Sequence, residues 1–400
     1  MVMVRSINIR SSEFAREEMS RIGVDPIGTA LMLPKQFHYN LKLSGLTPPQ
    51  ANILKQEVLA VGGEAAVSKG VVSCKVEQTD AILSATVKQY QRLIKKLRSQ
   101  PYGLGDLSIE LASVLSNLDT ANALRFFKGR TRSWDISKCT LVMGVLNLTP
   151  DSFSDGGAYK DTASAVARAK EMMEEGADII DVGGESSRPG AKAVSAAEEL
   201  GRIIDVVEEL SAAGIPVSVD TVKSEVAARA IEAGAEVIND ISALTSDEKM
   251  ASVVSEGQAG LILMHMRGTP ETMQDDIAYD DLMGELFKHL KERIEFAEAT
   301  GIELDKIAID PGLGFSKSME ANLEILGRLS ELRALGRPIL IGASRKSFIG
   351  KATGKDVAER LSGTLAAISA AVLGGARIIR AHDVSETVEA IKVLDAIRAE

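Results

Sequence analysis

Eight places along the later two-thirds of this chain carry side chains suited to binding or proton chemistry. They are Asn147, Asp181 with Glu185, Asp220, Asn239 with Asp240, His265, Asp310, Ser344–Arg345–Lys346, and Arg380 with His382. Each closes a short apolar run, as in TLVMGVLNL at 140–148, AAGIPVSVD at 212–220 and LGGARIIRAH at 373–382. Loops are polar by default, so one such residue means little; eight in succession after apolar runs point to one shared site. The types divide by task. Asp220, Asn239 and Asp310 supply carboxylates and an amide that match the N–H and exocyclic-amine pattern of a flat polar heterocycle, and charged hydrogen bonds are the stronger kind. Lys346 and Arg380 supply cationic donors, with His382 a further donor, and cations grouped beside acids suit an anionic leaving group such as phosphate.

Two loops rich in Gly, Ser and Asp, DSFSDGGAY at 151–159 and GGESSRPGAKAV at 183–194, have the composition of mobile active-site loops or of ordinary connections. Asn147 and Asp151 offer oxygen ligands for a hard divalent ion such as Mg²⁺. Met264 and Met266 flank His265; they read first as core packing and second as the wall of a flat-ring pocket. No Ser–His–acid spacing is evident. Lys346 as a Schiff-base former is conceivable, but Ser344 and Arg345 beside it suit anion binding equally well.

The elements that must position these residues repeat one grammar. An alanine-rich helical stretch ends in glycine, and a β-branched run follows: EEGADIIDV, AAGIPVSVD, EAGAEVIND, SEGQAGLILMH, ATGIELDKIAID, ALGRPILIG and LGGARIIRAH. Glycine suits the position just past a helix, where positive φ is needed. The runs are apolar on both faces, as in parallel strands covered by helices. With residues 140–148 they make eight strands, and helices are expected at 162–175, 196–213, 222–233, 246–256, 281–300, 320–334, 356–373 and 384–398. Eight β–α units in about 260 residues predict an α/β fold of the TIM type, a (β/α)8 barrel whose site lies at the carboxyl ends of the strands. An open doubly wound sheet is the runner-up; no G-x-G-x-x-G follows the first strand.

The preceding stretch differs. Residues 1–133 hold 18 Lys+Arg against 11 Asp+Glu, a balance of +7, while the remainder carries −17. With Trp134 at the switch, the sequence predicts a small α+β domain over 1–133, of unassigned role, and a catalytic domain over 134–400. Within the first, helices are expected at Leu46–Val61, Ala81–Arg98 and Asp106–Asn117, and a strand at Ala66–Lys75. The overall net charge of −10 argues against sequence-independent nucleic-acid binding, which needs a basic footprint. Cys74 and Cys139 read as reduced thiols, and the four histidines show no zinc-ligand spacing. The start lacks a signal-peptide stretch, and the longest apolar run, Leu365–Ala376, is too short to span a bilayer. A soluble, cytoplasmic protein without membrane partners is expected.

The motifs MGVLNLTPDSFSDGG, DVGGESSRPGA, VSVDT, INDIS, LMHMRGTP, DPGLGF, GASRKSF and IRAHDV, in this order, closely resemble the dihydropteroate synthase family of the pterin-binding barrels, over about residues 138–398. The resemblance implies an alkyl transfer in folate biosynthesis that joins (7,8-dihydropterin-6-yl)methyl diphosphate to 4-aminobenzoate, with Mg²⁺ and release of diphosphate. It implies that Asp220, Asn239, Met264, Asp310, Phe315, Gly342 and Lys346 hold the pterin, with Asp220, Asp310 and Lys346 catalytic. Asn147, Arg188, Arg380 and His382 would hold the diphosphate, Asn147 also the metal. Phe153, Ser186, Ser187, Pro189 and Ser344 would form the aminobenzoate site, a sulfonamide target, in a homodimer. At Ser187 the family usually has threonine, so the hydroxyl is kept and a methyl lost. A methyltransferase of the same barrel family would keep the Asp/Asn contacts without needing Lys346, Arg380 and His382 around a diphosphate. A non-catalytic pterin-binding protein would lack one of the motifs.

Overall fold

Short aliphatic runs punctuated by glycine become strands because they bury both faces, and the alanine-rich stretches between them become the helices that cover them. The computed structural model describes residues 2–119, 125–149 and 162–399. The chain divides into two compact units, Met1–Ala123 and Leu124–Glu400.

The second unit opens with a hairpin, β4 (Phe126–Lys128) and β5 (Ser133–Asp135), numbered after the three strands of the first unit. Then follow β6 (Leu141–Asn147), α6 (Thr162–Glu174), β7 (Ile179–Gly183), α7 (Ala196–Ala212), β8 (Val217–Asp220), α8 (Ser224–Glu232), β9 (Val237–Asp240) and α9 (Met250–Gly257). The chain continues with β10 (Gly260–Met264), α10 (Leu282–Ala299), β11 (Ile307–Asp310), α11 (Met319–Arg328), β12 (Leu340–Ile341), α12 (Ser347–Thr353), α13 (Leu361–Leu373), β13 (Ile378–Ala381) and α14 (Val384–Ala399). The eight strands β6–β13 form one parallel sheet in the order β11-β10-β9-β8-β7-β6-β13-β12. A parallel bridge between Ile309 and Ile339 joins its two ends, with Ile309 N donating to Pro338 O at 2.9 Å. The sheet is therefore the closed (β/α)8 barrel expected from the sequence. Among the described residues α12, a seven-residue helix directly after Lys346, adds an α-helix to the eight expected.

The barrel's lower interior is filled by Met143, Ile179, Val237, Ile262, Ala308, Leu340 and Ile378. Phe127 and Ile136 join this cluster fully buried, and Trp134 packs against it. The Phe127 and Trp134 rings stack at 5.8 Å between centroids. Glu236, just before β9, accepts hydrogen bonds from Thr131 N at 2.7 Å and Arg132 N at 3.1 Å, pinning the hairpin turn. The hairpin thus plugs the amino-terminal end of the barrel. This moves the boundary ten residues ahead of the 133/134 expected from charge and Trp134: residues 125–133 serve the barrel core, which a charge count does not register.

The first unit contains α1 (Ser12–Arg21), α2 (Pro26–Gln36), β1 (His38–Leu46), α3 (Pro48–Ala60), β2 (Glu64–Val67), β3 (Thr79–Thr86), α4 (Val87–Leu97) and α5 (Leu104–Leu118). It is α+β, with an antiparallel sheet ordered β1-β3-β2 over a core of Leu43, Leu54, Val58, Leu83, Tyr90, Leu93, Leu97 and Leu104. Two expectations are corrected here. Residues 81–86 belong to β3, not to a helix. The helix starts at Val87, where Thr86 and Gln89 form a reciprocal capping box. The expected strand 66–75 ends at Val67, and Ser68–Lys75 is a chain of turns. Among the described residues no helix is long and apolar enough to cross a membrane, and Cys74 and Cys139 are free.

Candidate active site

The strand ends converge on a charged cluster. Asp181, fully buried in β7, takes a hydrogen bond from Arg380 Nε of β13 at 2.6 Å and one from Asn239 Nδ2 of β9 at 3.4 Å. Arg380 Nη2 also reaches Asp220 Oδ2 of β8 at 3.4 Å. Burial, and then the neighbouring Asp181 charge, push the Asp220 carboxyl up to about 7, with Arg380 pulling it back. One guanidinium thus organises two carboxylates that would otherwise repel each other in a desolvated place. Gly183 lies between Asn147 and Asp220: a Cβ there would be in ordinary contact, 3.4 Å from Asn147 Oδ1 and 3.7 Å from Asp220 Cβ. Gly342 lies beside Arg380, its Cβ position 3.8 Å from Arg380 Cβ.

The opposite wall is built by the DPGLGF loop. Asp310 Oδ1 accepts the Gly312 N–H at 2.7 Å. Burial raises its carboxyl above the usual range, against the pull of that N–H and of Lys346. Gly312 is required here: it sits at φ +69°, and a Cβ would fall 2.1 Å from the His265 carbonyl oxygen. Lys346 Nζ stands 4.2 Å from the Phe315 ring centroid, a cation–π contact. Burial, then the charge of Arg380, lower the Lys346 ammonium to about 8. Phe315 packs with Ile241, Met264 and Met273, and Val222 and Met266 lean on this cluster. The two methionines beside His265 are therefore both core packing and an apolar wall next to the acids.

His382 N donates to Ser344 Oγ at 3.2 Å, and its Nδ1 lies 3.1 Å from the same oxygen. Burial lowers His382 to about 3, so it is neutral at pH 7. Arg345, at φ +57°, pairs with Asp383 through Nε at 3.1 Å and Nη2 at 2.5 Å. This pair fastens the Ser344–Lys346 loop to the end of β13.

Asp220, Asn239, Asp310, Lys346, Arg380, Phe315, Met264 and Gly342 are thus brought to one rim, with Ser344 and His382 adjoining. Asn147 ends β6 opposite Gly183 in register. Ser186 and Ser187 are half-buried, while Arg188 and Pro189 lie on the exposed part of their loop. Gly190 N donates to Pro270 O at 3.0 Å, tying this loop to the one after β10. Phe153 and Asp151 lie outside the described residues. Among the described residues no group of three His, Cys, Asp or Glu side chains is placed to hold a metal ion.

Sequence reasoning placed Asp181 at the rim without assigning it a partner and did not single out Lys317. Lys317 Nζ donates to Phe315 O at 2.9 Å and His265 O at 3.2 Å and lies 3.1 Å from His265 Nδ1. Burial lowers it to about 7. A lysine two residues past Phe315 was the available signal, but its partner is 52 positions away in sequence.

The parallel barrel gathers paired acids, buried cations and a methionine–phenylalanine wall at one rim, a lining with the chemistry to suit a polar heterocycle beside an anion. The family model of the pterin binding enzymes matches residues 143–382, and the chain belongs to that family. Its relatives narrow the branch. It is 46% identical over 266 residues to the dihydropteroate synthase of Synechocystis, covering 66% of this chain and 92% of that protein. It is 42% identical over 391 residues, 98% of this chain, to a probable bifunctional folylpolyglutamate synthase/dihydropteroate synthase of Halobacterium salinarum, of which it spans only 47%. The chain therefore spans about half the length of that bifunctional relative. Among solved structures it is similar to the Yersinia pestis dihydropteroate synthase in complex with a sulfonamide drug (TM-score 0.66, 41% identity, 69% of this chain and 100% of that one). It is also similar to the Xanthomonas albilineans enzyme with 4-aminobenzoic acid (TM-score 0.64, 43% identity, 69% and 99%).

Proposed function

We propose that the barrel joins (7,8-dihydropterin-6-yl)methyl diphosphate to 4-aminobenzoate, giving 7,8-dihydropteroate and diphosphate. The observation that carries this reading is the convergence of Asp220, Asn239, Asp310, Lys346 and Arg380 at one buried rim. Asp310, Asn239 and Asp220 would read the edge of the pterin, while Phe315 and Met264 cover its face. In the reaction the methylene C–O bond breaks, its electron pair leaving on the diphosphate. The arylamine lone pair then forms the C–N bond and the nitrogen loses a proton to solvent. Positive charge builds on the pterin methylene, and the Asp220 carboxylate beside it stabilises that charge. Arg380, His382 and Asn147 would face the departing diphosphate, with Arg188 joining from its loop. Ser186, Ser187, Pro189, Phe153 and Ser344 would shape the aminobenzoate site.

Mg²⁺ fits this reading. A cation that keeps several waters and takes phosphate oxygens needs only one or two protein oxygens, and Asn147 Oδ1 at the end of β6 supplies one. When bound it would neutralise charge on the leaving diphosphate. Pairing of two copies through the barrel's outer helices belongs to the same reading; Leu373 of α13 and Val393 and Ile397 of α14 are exposed there. The test is diphosphate release by the purified chain with Mg²⁺. Release should require both substrates together; no release, or release indifferent to the arylamine, sinks the proposal.

A further inference from the structure

A single ammonium ties together three elements around the loop that carries Ser186–Pro189. Lys223 Nζ donates to Glu185 and, at 2.5 Å, to Glu199 Oε2. Glu185 opens the loop directly after β7, and Glu199 lies in the first turn of α7, which ends it. Lys223 itself follows Asp220 by three residues, at the entry of α8. The base of the loop is drawn closed by further bonds. Val194 N donates to Glu185 Oε2 at 3.4 Å, and Arg202 Nη1 of α7 donates to Gly184 O at 2.6 Å. Gly184 permits this approach, since a Cβ there would lie 2.7 Å from Ile203 and 3.1 Å from Glu199 O. Glu199 is fully buried, and its other oxygen, Oε1, has no hydrogen-bond partner among the described residues. Burial works against the Lys223 charge, but its hydrogen bonds to the two carboxylates, with their charges, outweigh it and hold the ammonium above its ordinary value.

Long ion pairs on open surfaces contribute little. This one is different because it is largely covered and bridges both ends of one loop to the Asp220 strand. We propose that Lys223, with Glu185 and Glu199, is a positioning set for the arylamine, holding the base of the 184–195 loop so that Ser186 and Ser187 face the second substrate. It touches neither substrate itself. The inference rests on the reading of the barrel as the synthase and adds to it a determinant of second-substrate recognition.

Two measurements on the full chain test it. In initial-rate kinetics, Lys223→Met should raise the KM for 4-aminobenzoate by about tenfold, since small displacements of positioning groups carry large rate effects. The KM for the pterin diphosphate should stay within about twofold, because Asp220, the pterin contact nearest Lys223, is held by Arg380 and not by this bridge. Glu185→Gln, which leaves the Lys223–Glu199 pair in place, should move the same KM in the same direction by less. In hydrogen exchange without any substrate, the amides of residues 186–194 should exchange faster in both variants, with the barrel strands unchanged. If Lys223→Met does not fold, Glu185→Gln decides. Equal rises in both KM values, or unchanged exchange in the loop, would overturn the proposal. A wild-type chain without diphosphate release would instead defeat the synthase reading, and the exchange result would still judge whether Lys223 holds the loop.

Discussion

The two ends of the barrel are made from the same strands and differ in almost everything else. At the lower end Phe127, Ile136, Met143, Ile262 and Ile378 pack together, and the buried Glu236 there accepts hydrogen bonds from the hairpin turn. At the upper end Asp181, Asp220, Asp310, Lys346 and Arg380 crowd together, and burial shifts the ionisation of Asp220, Asp310 and Lys346. Burying like charges lowers stability, so the upper end is retained for what it does and the lower end supplies the packing that tolerates it. Substitutions at the two ends should therefore separate activity from stability.

The largest separation is expected at the top. Asp220→Asn and Lys346→Ala should each lower kcat/KM by about 10²–10³, equivalent to roughly 2.7–4 kcal/mol of transition-state stabilisation. Neither should lower the thermal midpoint by more than a few degrees. Asp220→Asn removes a carboxyl that burial raises to about 7 and that is therefore charged at pH 8 at a cost to the fold, so a small gain in stability at pH 8 would fit. Near-native turnover in either variant would break the contrast.

At the bottom the effect should reverse. Phe127→Ala removes a fully buried ring from the plug and should reduce unfolding free energy by about 3–5 kcal/mol, read by denaturant titration. kcat/KM per folded molecule should remain close to native. A loss of activity without a loss of stability would mean that the plug reaches the rim.

The pH profile sharpens the comparison further. Asp220 must be ionised to stabilise positive charge, and its carboxyl is pushed up to about 7, so kcat/KM should fall as the pH drops below that value. Lys346 must be charged and is lowered to about 8, so kcat/KM should fall again above it. The free enzyme's profile should be a narrow bell, once the substrate's own ionisation is measured separately. Asp220→Asn should flatten the acid limb. The smallest effect is expected at Ser187→Thr, which restores only a methyl on a half-buried loop residue. It should change the KM for 4-aminobenzoate by no more than about tenfold, the scale of one methyl group.

What the sequence showed and what it hid follow from range. Strands such as Val217–Asp220 were legible because a glycine and an unbroken aliphatic run mark them locally, and the polar residue ending each one marks the rim. Local signals misled in the first unit. The strand Thr79–Thr86 alternates buried and exposed residues and runs without a break into the helix at Val87, so the two read as one element. The strand His38–Leu46 presents an alternating pattern with few buried positions and escaped notice. Pairings were hidden altogether: Arg380 with Asp181 is 199 positions apart, and Lys223 with Glu185 is 38. Strand order in the sheet brings such partners together, β7 lying beside β8 and one strand from β13.

The most direct test of the central claim, that the chemistry belongs entirely to the upper rim of the barrel, is to assay residues 125–400 alone. With (7,8-dihydropterin-6-yl)methyl diphosphate, 4-aminobenzoate and Mg²⁺, this segment retains the Phe127 plug and all the rim residues described above. It should form 7,8-dihydropteroate with kcat/KM within about threefold of the whole chain, since barrels of this length stand alone. A folded 125–400 segment that forms no dihydropteroate, while the whole chain does, would contradict the account and place part of the site in residues 1–124.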